Sequence, residues 1–162
     1  MKRMQNLAAS ILLTLTATSW ALDSDRKQKI TLDGGGCVTN QKTYKTECPN
    51  GLVIKQGTMK IKAQYGLISH KDKGIQMIKM TGVPAHFEQK MESGEVMVIL
   101  AKQMDYAKEE EKIYLKGDVK ITSDMGTTTG QEMEINLLTQ EISSVSDDPE
   151  QQFHMEIVPD ND

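Results

Sequence analysis

Histidines, clustered carboxylates and a pair of cysteines are the side chains of this chain with chemistry to offer. His70, His86 and His154 are its three histidines. None stands at metal-ligand spacing to another, and none has a nucleophile beside it in a known frame. His86 and His154 occupy polar positions of alternating segments and His70 lies by a turn, so all three are expected in solvent. Ser143, Ser144 and Ser146 lack the strand–elbow–helix context of a nucleophilic serine. Glu109-Glu110-Glu111 and Asp147-Asp148 gather carboxylates, and two carboxylates can hydrolyse a glycoside. Sequence neighbours on a strand point in opposite directions, however, so these clusters read as solvated turns. Gly34-Gly35-Gly36 is followed by neither Lys-Ser/Thr nor a helical pattern, unlike a phosphate loop. No catalytic residue, metal site or cofactor is expected, and the chain does not read as an enzyme.

Cys37 and Cys48 have no histidine near enough to complete a zinc site. In an oxidising compartment two cysteines this close usually pair, and closing so short a loop stabilises by about 3 kcal/mol on a chain-entropy argument. The alternative is two free thiols. The N-terminus supplies the compartment. Lys2 and Arg3 precede an apolar run from Leu7 to about Ala17, and Ser19-Trp20-Ala21 offers the small residues a signal peptidase reads. The run is too short to span roughly 30 Å of hydrocarbon, so cleavage after Ala21 is expected. No cysteine follows the site, which argues against a lipoprotein anchor. Cleavage removes Lys2, Arg3 and the only tryptophan, Trp20, and leaves the mature chain more acidic than the full-length net charge of −4. An acidic domain has no basic surplus with which to meet nucleic-acid phosphates.

The dominant pattern after Ala21 is alternation. Met59, Ile61 and Ala63 interleave with Lys60 and Lys62. Val83, Ala85, Phe87 and Met91 interleave with His86, Glu88 and Lys90. Ile113, Leu115, Gly117, Val119 and Ile121 share one face, with Lys116, Asp118 and Lys120 on the other. Met133, Ile135 and Leu137 alternate with Glu132, Glu134 and Asn136, and Phe153, Met155 and Ile157 with His154 and Glu156. Period two predicts strands with one apolar and one wet face, as antiparallel sheets allow. Helical signals are weak, and Lys108-Glu109-Glu110 reads as a hairpin turn. Further turn signals fall at Gly34–Gly36, Asn50-Gly51, Lys73-Gly74, Ser93-Gly94 and Asp124–Gly126. The segments 50–63 and 116–137 echo each other as Gly-led hairpins, which suggests layering by repetition. The apolar faces hold Ile, Leu, Val and Met with only Phe87 and Phe153 for phenylalanine. Such a face can pack on itself or, being rich in adaptable Met, accept a guest.

Four strings carry a family resemblance. Gln56–Ala63 (QGTMKIKA) resembles a strand segment of the LptA/OstA family, the periplasmic bridge proteins of lipopolysaccharide transport. Gly82–Gln89 resembles its Gly-x-Pro-Ala-x-Phe-x-Gln signature. Ala101–Tyr106 is similar to its Ala-x-x-Met-x-Tyr segment, and Leu115–Val119 to its Leu-x-Gly-Asn-Val turn. They occur in the family's order across most of Ile30 to Val145. Departures are Asn50-Gly51-Leu52 at the first Gly-Asn-Val site, the cysteines flanking it, and the more apolar Met97–Leu100.

The resemblance implies an all-β fold, an open twisted antiparallel β-jellyroll, in a single domain. Residues 1–21 are then a signal peptide, 22–146 the OstA-like domain and 147–162 a C-terminal strand and acidic tail. It implies a periplasmic carrier that shields lipid A acyl chains in a groove while the sugar stays outside. Exposed edge strands would add to other copies head to tail, to an LptC-like inner-membrane protein and to the N-terminal domain of an LptD-like outer-membrane protein. The groove lining carried over is Ile30, Leu32, Met59, Ile61, Phe87, Met104, Tyr106, Leu115 and Val119, with a bulge expected between Ala101 and Met104. Alternatives are an LptC-like anchored domain and a structural exported β-protein that assembles through its edges.

Overall fold

The computed structural model describes residues 23–72, 74–146 and 153–157. The expected signal peptide with Trp20, Asp147-Asp148 and the expected tail from Pro159 lie outside them. A single helical turn, α1 (Asp23–Arg26), precedes twelve strands. These are β1 (Thr31–Gly34), β2 (Val38–Asn40), β3 (Lys45–Cys48), β4 (Leu52–Gln56), β5 (Met59–Ala63) and β6 (Tyr65–Lys71). The long strands β7 (Gly74–Lys90), β8 (Val96–Ala107), β9 (Lys112–Ser123) and β10 (Gly126–Asn136) follow, then β11 (Ile142–Ser144) and β12 (His154–Glu156). All belong to one antiparallel sheet that does not close on itself.

The sheet is folded along one line. The ladder of β7 with β8 slips between Thr81 and Ala85, that of β8 with β9 between Leu100 and Gln103, and that of β9 with β10 between Gly130 and Glu132. These irregularities are in register, because Thr81, Gln103, Lys116 and Glu132 are successive cross-strand partners. A bulge bends its strand, and bulges at the same level bend the whole sheet. Gly117 and Asp118, both at positive φ, lie on the line, as does the cis Val83-Pro84 peptide. Shorter elements cross it as connections: Gly34 to Cys37, Cys48 to Gly51, and Gln64, whose N–H donates to the Thr81 carbonyl at 3.0 Å. A bulge is expected between Ala101 and Met104; the β8–β9 register shift overlaps that stretch, from Leu100 to Gln103, with the extra residue on β9, and it is one member of a row.

The bend makes two walls. The first contains β1, β4, β5, the C-terminal half of β7 and β12. The second contains β2, β3, β6, the N-terminal half of β7 and β11. On the first wall, Leu32, Ile54, Ile61, Phe87, Ile99, Ile121, Thr128 and Met155 run across the sheet as consecutive partners. On the second, Thr39, Thr46, Ile68, Ile78, Tyr106, Ile113, Ile135 and Ile142 do the same. The stretches from Ile54 to Ile121 in the first row and from Ile68 to Ile135 in the second belong to one buried cluster, with Leu32 and Ile142 packed against it, so the walls face each other. They approach closely where Leu52 of β4 lies over Gly66 of β6, at which a Cβ would stand 2.5 Å from the leucine methyl. Cys37 and Cys48 form a disulfide at the first end of the bend line.

Alternation misplaces a few side chains. Val83 does not join Ala85 and Phe87 inside but is 79 % exposed, because the bulge at Thr81–Ala85 resets the parity. Phe153 and Ile157 are exposed as well, since they flank a three-residue strand that pairs, among the described residues, with β10 alone. His154 is in solvent as expected. His70 is half-buried and bonded to Thr46, and His86 is half-buried with its Nδ1 unpartnered. Among the described residues no helix is long and apolar enough to cross a membrane, and no group of acidic, His or Cys side chains could hold a metal.

Ile99 sits fully buried in the middle of the first wall's row. Ile99→Ala should cost about 2–5 kcal/mol, whereas Val83→Ser should stay within about 0.5 kcal/mol. Urea unfolding of the two variants checks this, and equal losses would mean the parity change at the bend is misplaced.

Candidate functional site

The space between the walls is where the sequence-derived lining residues meet. Ile61, Phe87 and Met104 are fully buried there, and Met59, Tyr106, Leu115 and Val119 nearly so. Ile30 and Leu32 are half-buried against the same cluster at its first end. The structure thus brings all of them to one interior. It adds Ile54, Ile68, Ile78 and Met80, which the family strings do not cover. The signal for the last two was available in Ile75 to Met80, where Ile78 and Met80 bracket Lys79.

Packing is dense in the middle and open at one end. A cleft of about 660 Å³ lies between Leu32 of the first wall and Thr39, Tyr44, Thr46 and His70 of the second. Its polar wall is a hydrogen-bonded chain in which Thr39 Oγ1 and Thr46 Oγ1 are 2.9 Å apart and Thr46 Oγ1 and His70 Nε2 are 2.8 Å apart. The cleft volume falls in the range of small-molecule sites.

Opposite the bend, the walls end in hairpin turns, and this long side is the mouth. A polar cluster spans it. The Asp25 carboxylate accepts the Thr58 N–H at 3.0 Å and is also bonded to the Thr58 hydroxyl. Gln56 Nε2 donates to the carbonyls of Arg26 at 2.9 Å and Gln28 at 3.1 Å. Lys108 Nζ, on the β8–β9 turn of the other wall, donates to Gln56 Oε1 at 2.9 Å. Arg26 lies 4.0 Å from Glu111 of the same turn, and the Tyr106 hydroxyl donates to Glu111 at 3.3 Å. Beneath these groups only about 20 Å³ is empty. Burial, helped by the Glu111 charge and hydrogen bond, pushes the Tyr106 phenol far above its usual range. Burial also lowers the Lys108 ammonium, with Glu111 opposing. The family strings hold Gln56, Thr58 and Tyr106 of this cluster, but nothing in the sequence ties them to Asp25, Arg26, Lys108 and Glu111, which are ordinary polar residues distant along the chain.

An open, bent antiparallel sheet with an apolar interior and unclosed ends is the geometry to compare with known proteins. Residues 37–141 match the family described as LptA/(LptD N-terminal domain) LPS transport protein. The chain belongs to that family. Among solved structures it resembles LptH of Pseudomonas aeruginosa, described as the LptA homologous periplasmic component of the conserved lipopolysaccharide transport device. The TM-score is 0.75 at 19 % identity, over 84 % of this chain and 99 % of LptH. At that identity the likeness establishes the fold, an LptA-like β-jellyroll. No curated protein sequence matches. The family match begins after α1 and β1, so the Asp25 and Arg26 side of the mouth cluster lies outside it.

Tyr106 gives a pH test. Its folded-state pKa is raised above the unfolded value of about 10, so the folded chain holds that proton more tightly. Stability is therefore independent of this group below about pH 10 and falls as pH rises above it. Tyr106→Phe should lose about 0.5–1.5 kcal/mol at neutral pH for the missing hydrogen bond and should decline less steeply in alkali. Urea midpoints of both proteins across that range check the difference, and parallel curves would count against a protected phenol.

Proposed function

We propose that this member of the LPS-transport family is a periplasmic lipopolysaccharide carrier that holds lipid A acyl chains between its two walls and leaves the saccharide outside. The observation that carries this reading is the inward apolar row that runs unbroken from Leu32 on β1 to Ile121 on β9, with the sheet unclosed at both ends. Each buried methylene gains about 0.8 kcal/mol, so an acyl chain of a dozen carbons gains up to about 10 kcal/mol if fully covered. The interior side chains must make room for it, and the methionines among them, Met59, Met80, Met104 and Met133, repack at small cost. Leu32 in the open cleft is the natural first contact.

The same geometry supports a bridge. β1 and β2 leave unpaired edges at one end, and β11 and β12 are short outermost strands at the other. Such edges invite strand addition by another chain. The partners this implies are further copies in a head-to-tail row, an LptC-like inner-membrane protein and the N-terminal domain of an LptD-like outer-membrane protein. The chain would reach them after removal of residues 1–21, and it would perform no catalysis.

The dense interior favours one competing reading, an exported β-protein that assembles through its edges and carries no lipid. Phe87 separates the two. Phe87→Glu should abolish lipopolysaccharide uptake while leaving edge-to-edge assembly intact, as measured by lipid co-purification and by sedimentation. A photo-crosslinker at Ile61 should label lipopolysaccharide, and one at the outward-facing Lys79 should not. Lipid-free protein from the envelope, together with no labelling at Ile61, would leave only the structural reading.

A further inference from the structure

We infer that the cleft at the first end is a sugar site, so that a glycolipid lies along the groove with its saccharide in the cleft and its acyl chains pointing toward the later strands. The inference rests on the lipid-carrier reading and adds to it a polar subsite and an orientation.

The second wall changes character along its length. Its inward row begins with two hydroxyls, Thr39 on β2 and Thr46 on β3, and turns apolar at Ile68 on β6 and Ile78 on β7. His70 adds a third polar group through the 2.8 Å contact of its Nε2 with Thr46. Past this point only Tyr106 and Thr128 interrupt the two rows, which finish on the apolar Ile142 and Met155. The Tyr106 hydroxyl is committed to Glu111. The first wall has no such change, since Leu32 is followed by Ile54 and Ile61. The cleft therefore has one apolar side and one side of groups that both donate and accept hydrogen bonds.

A pyranose ring has the same two characters, a C–H face and a rim of hydroxyls. Leu32 suits the face. A threonine hydroxyl can make three hydrogen bonds, and the Thr39–Thr46–His70 chain uses one at Thr39 and two at Thr46. Tyr44 adds an apolar ring with a polar tip at the solvent edge, where it is 60 % exposed. The turn that carries it is fixed. Asn40 Oδ1 accepts the N–H of Lys42 at 2.9 Å and of Thr43 at 3.1 Å, and the Tyr44 carbonyl accepts the His70 N–H at 2.8 Å. Parts already held in place cost little to order around a ligand. A hydrocarbon chain at rest here would take water from Thr39, Tyr44 and His70 and return no hydrogen bond. An acyl chain that enters past Leu32 therefore settles deeper, and the sugar that follows it stops in the cleft. The lining includes the turns that hold Tyr44 and Asp72, so the rest of the saccharide stays in water.

The test uses the full chain, with lipopolysaccharide and dodecanoic acid as probes. Tyr44→Ala should weaken lipopolysaccharide binding by about fivefold or more and leave dodecanoic acid binding unchanged, because only the first probe has a sugar. Thr39→Val, which keeps the shape and removes the hydroxyl, should do the same, and Tyr44→Phe, which keeps the ring, should retain most of the affinity. Orientation is read by crosslinking. A compact diazirine residue replaces Gln41 in one variant and Met133 in another. Each is irradiated with lipopolysaccharide, and ester-linked acyl chains are then stripped with alkali. The peptide labelled at position 41 should keep sugar, and the one labelled at 133 should keep fatty acid. Equal weakening of both probes by Tyr44→Ala, or sugar at 133 with fatty acid at 41, overturns the sugar site and leaves the carrier reading in place. So does a Tyr44→Ala protein that binds lipopolysaccharide like wild type and loses only self-association in sedimentation, which would give the cleft to a second copy. Binding of neither probe by wild type overturns both.

Discussion

Everything in this molecule depends on the alignment of its bulges. A bulge in one strand bends that strand, but bulges at one level in β7, β8, β9 and β10 bend a whole sheet. Each long strand then serves both walls, so the walls cannot slide past one another without breaking every ladder. The residues at the line are those that tolerate the bend. Gly117 and Asp118 adopt positive φ, and Gly82 lies so close to the Ala85 backbone that a side chain would collide with it. The disulfide and the Gly35–Gly51 hydrogen bond at 3.1 Å continue the line where the strands are too short to cross it themselves. The angle between the walls is therefore set by backbone, and the interior can change its side-chain packing without changing the frame.

That division of labour bears on how a packed interior could also be a carrier. The side chains between the walls have no backbone ladder joining them across the gap, because extensive contact is confined to hydrogen-bonded neighbours. What holds the two apolar faces together is dispersion and the exclusion of water, and both are supplied equally by a hydrocarbon guest. A sheet that met itself through hydrogen bonds, as a closed barrel does, would lose those bonds on opening. An apolar guest, on the carrier reading, would exchange one set of contacts for another of the same kind.

Much of this was legible in the sequence, for a definite reason. Ile113, Leu115, Val119 and Ile121 were placed on one face by parity alone, and they are buried together. Parity survives there because the irregularity at Gly117-Asp118 restores the phase it interrupts. At Val83 it does not, since the slip between Thr81 and Ala85 leaves residues without partners, and the alternating pattern fails at that point. The same break concealed that one strand runs from Gly74 to Lys90. Phe153 was misplaced because alternation says which way a side chain points and not whether anything lies opposite it. The mouth cluster could not be assembled from the sequence, although Tyr106 was placed in the lining. Asp25, Gln56, Lys108 and Glu111 are unremarkable polar residues until the bend brings three distant turns together.

The two ends of the groove differ in a way that gives the molecule a direction. At the first end the interior opens into a cleft with Leu32 on one side and the Thr39–Thr46–His70 chain on the other. At the last end the rows finish on Met155 and Ile142, in strands of three residues each that cover separate stretches of β10. A strand added at the first end would meet β1, four residues long and flanked by a ready cavity. One added at the last would meet short strands and the exposed Phe153 and Ile157. The two ends differ, so copies joined first end to last, as the bridge reading has them, would all stack in one sense. A groove repeated in that manner would keep its buried rows in line, which the bridge reading requires if a hydrocarbon chain is to pass from one copy to the next.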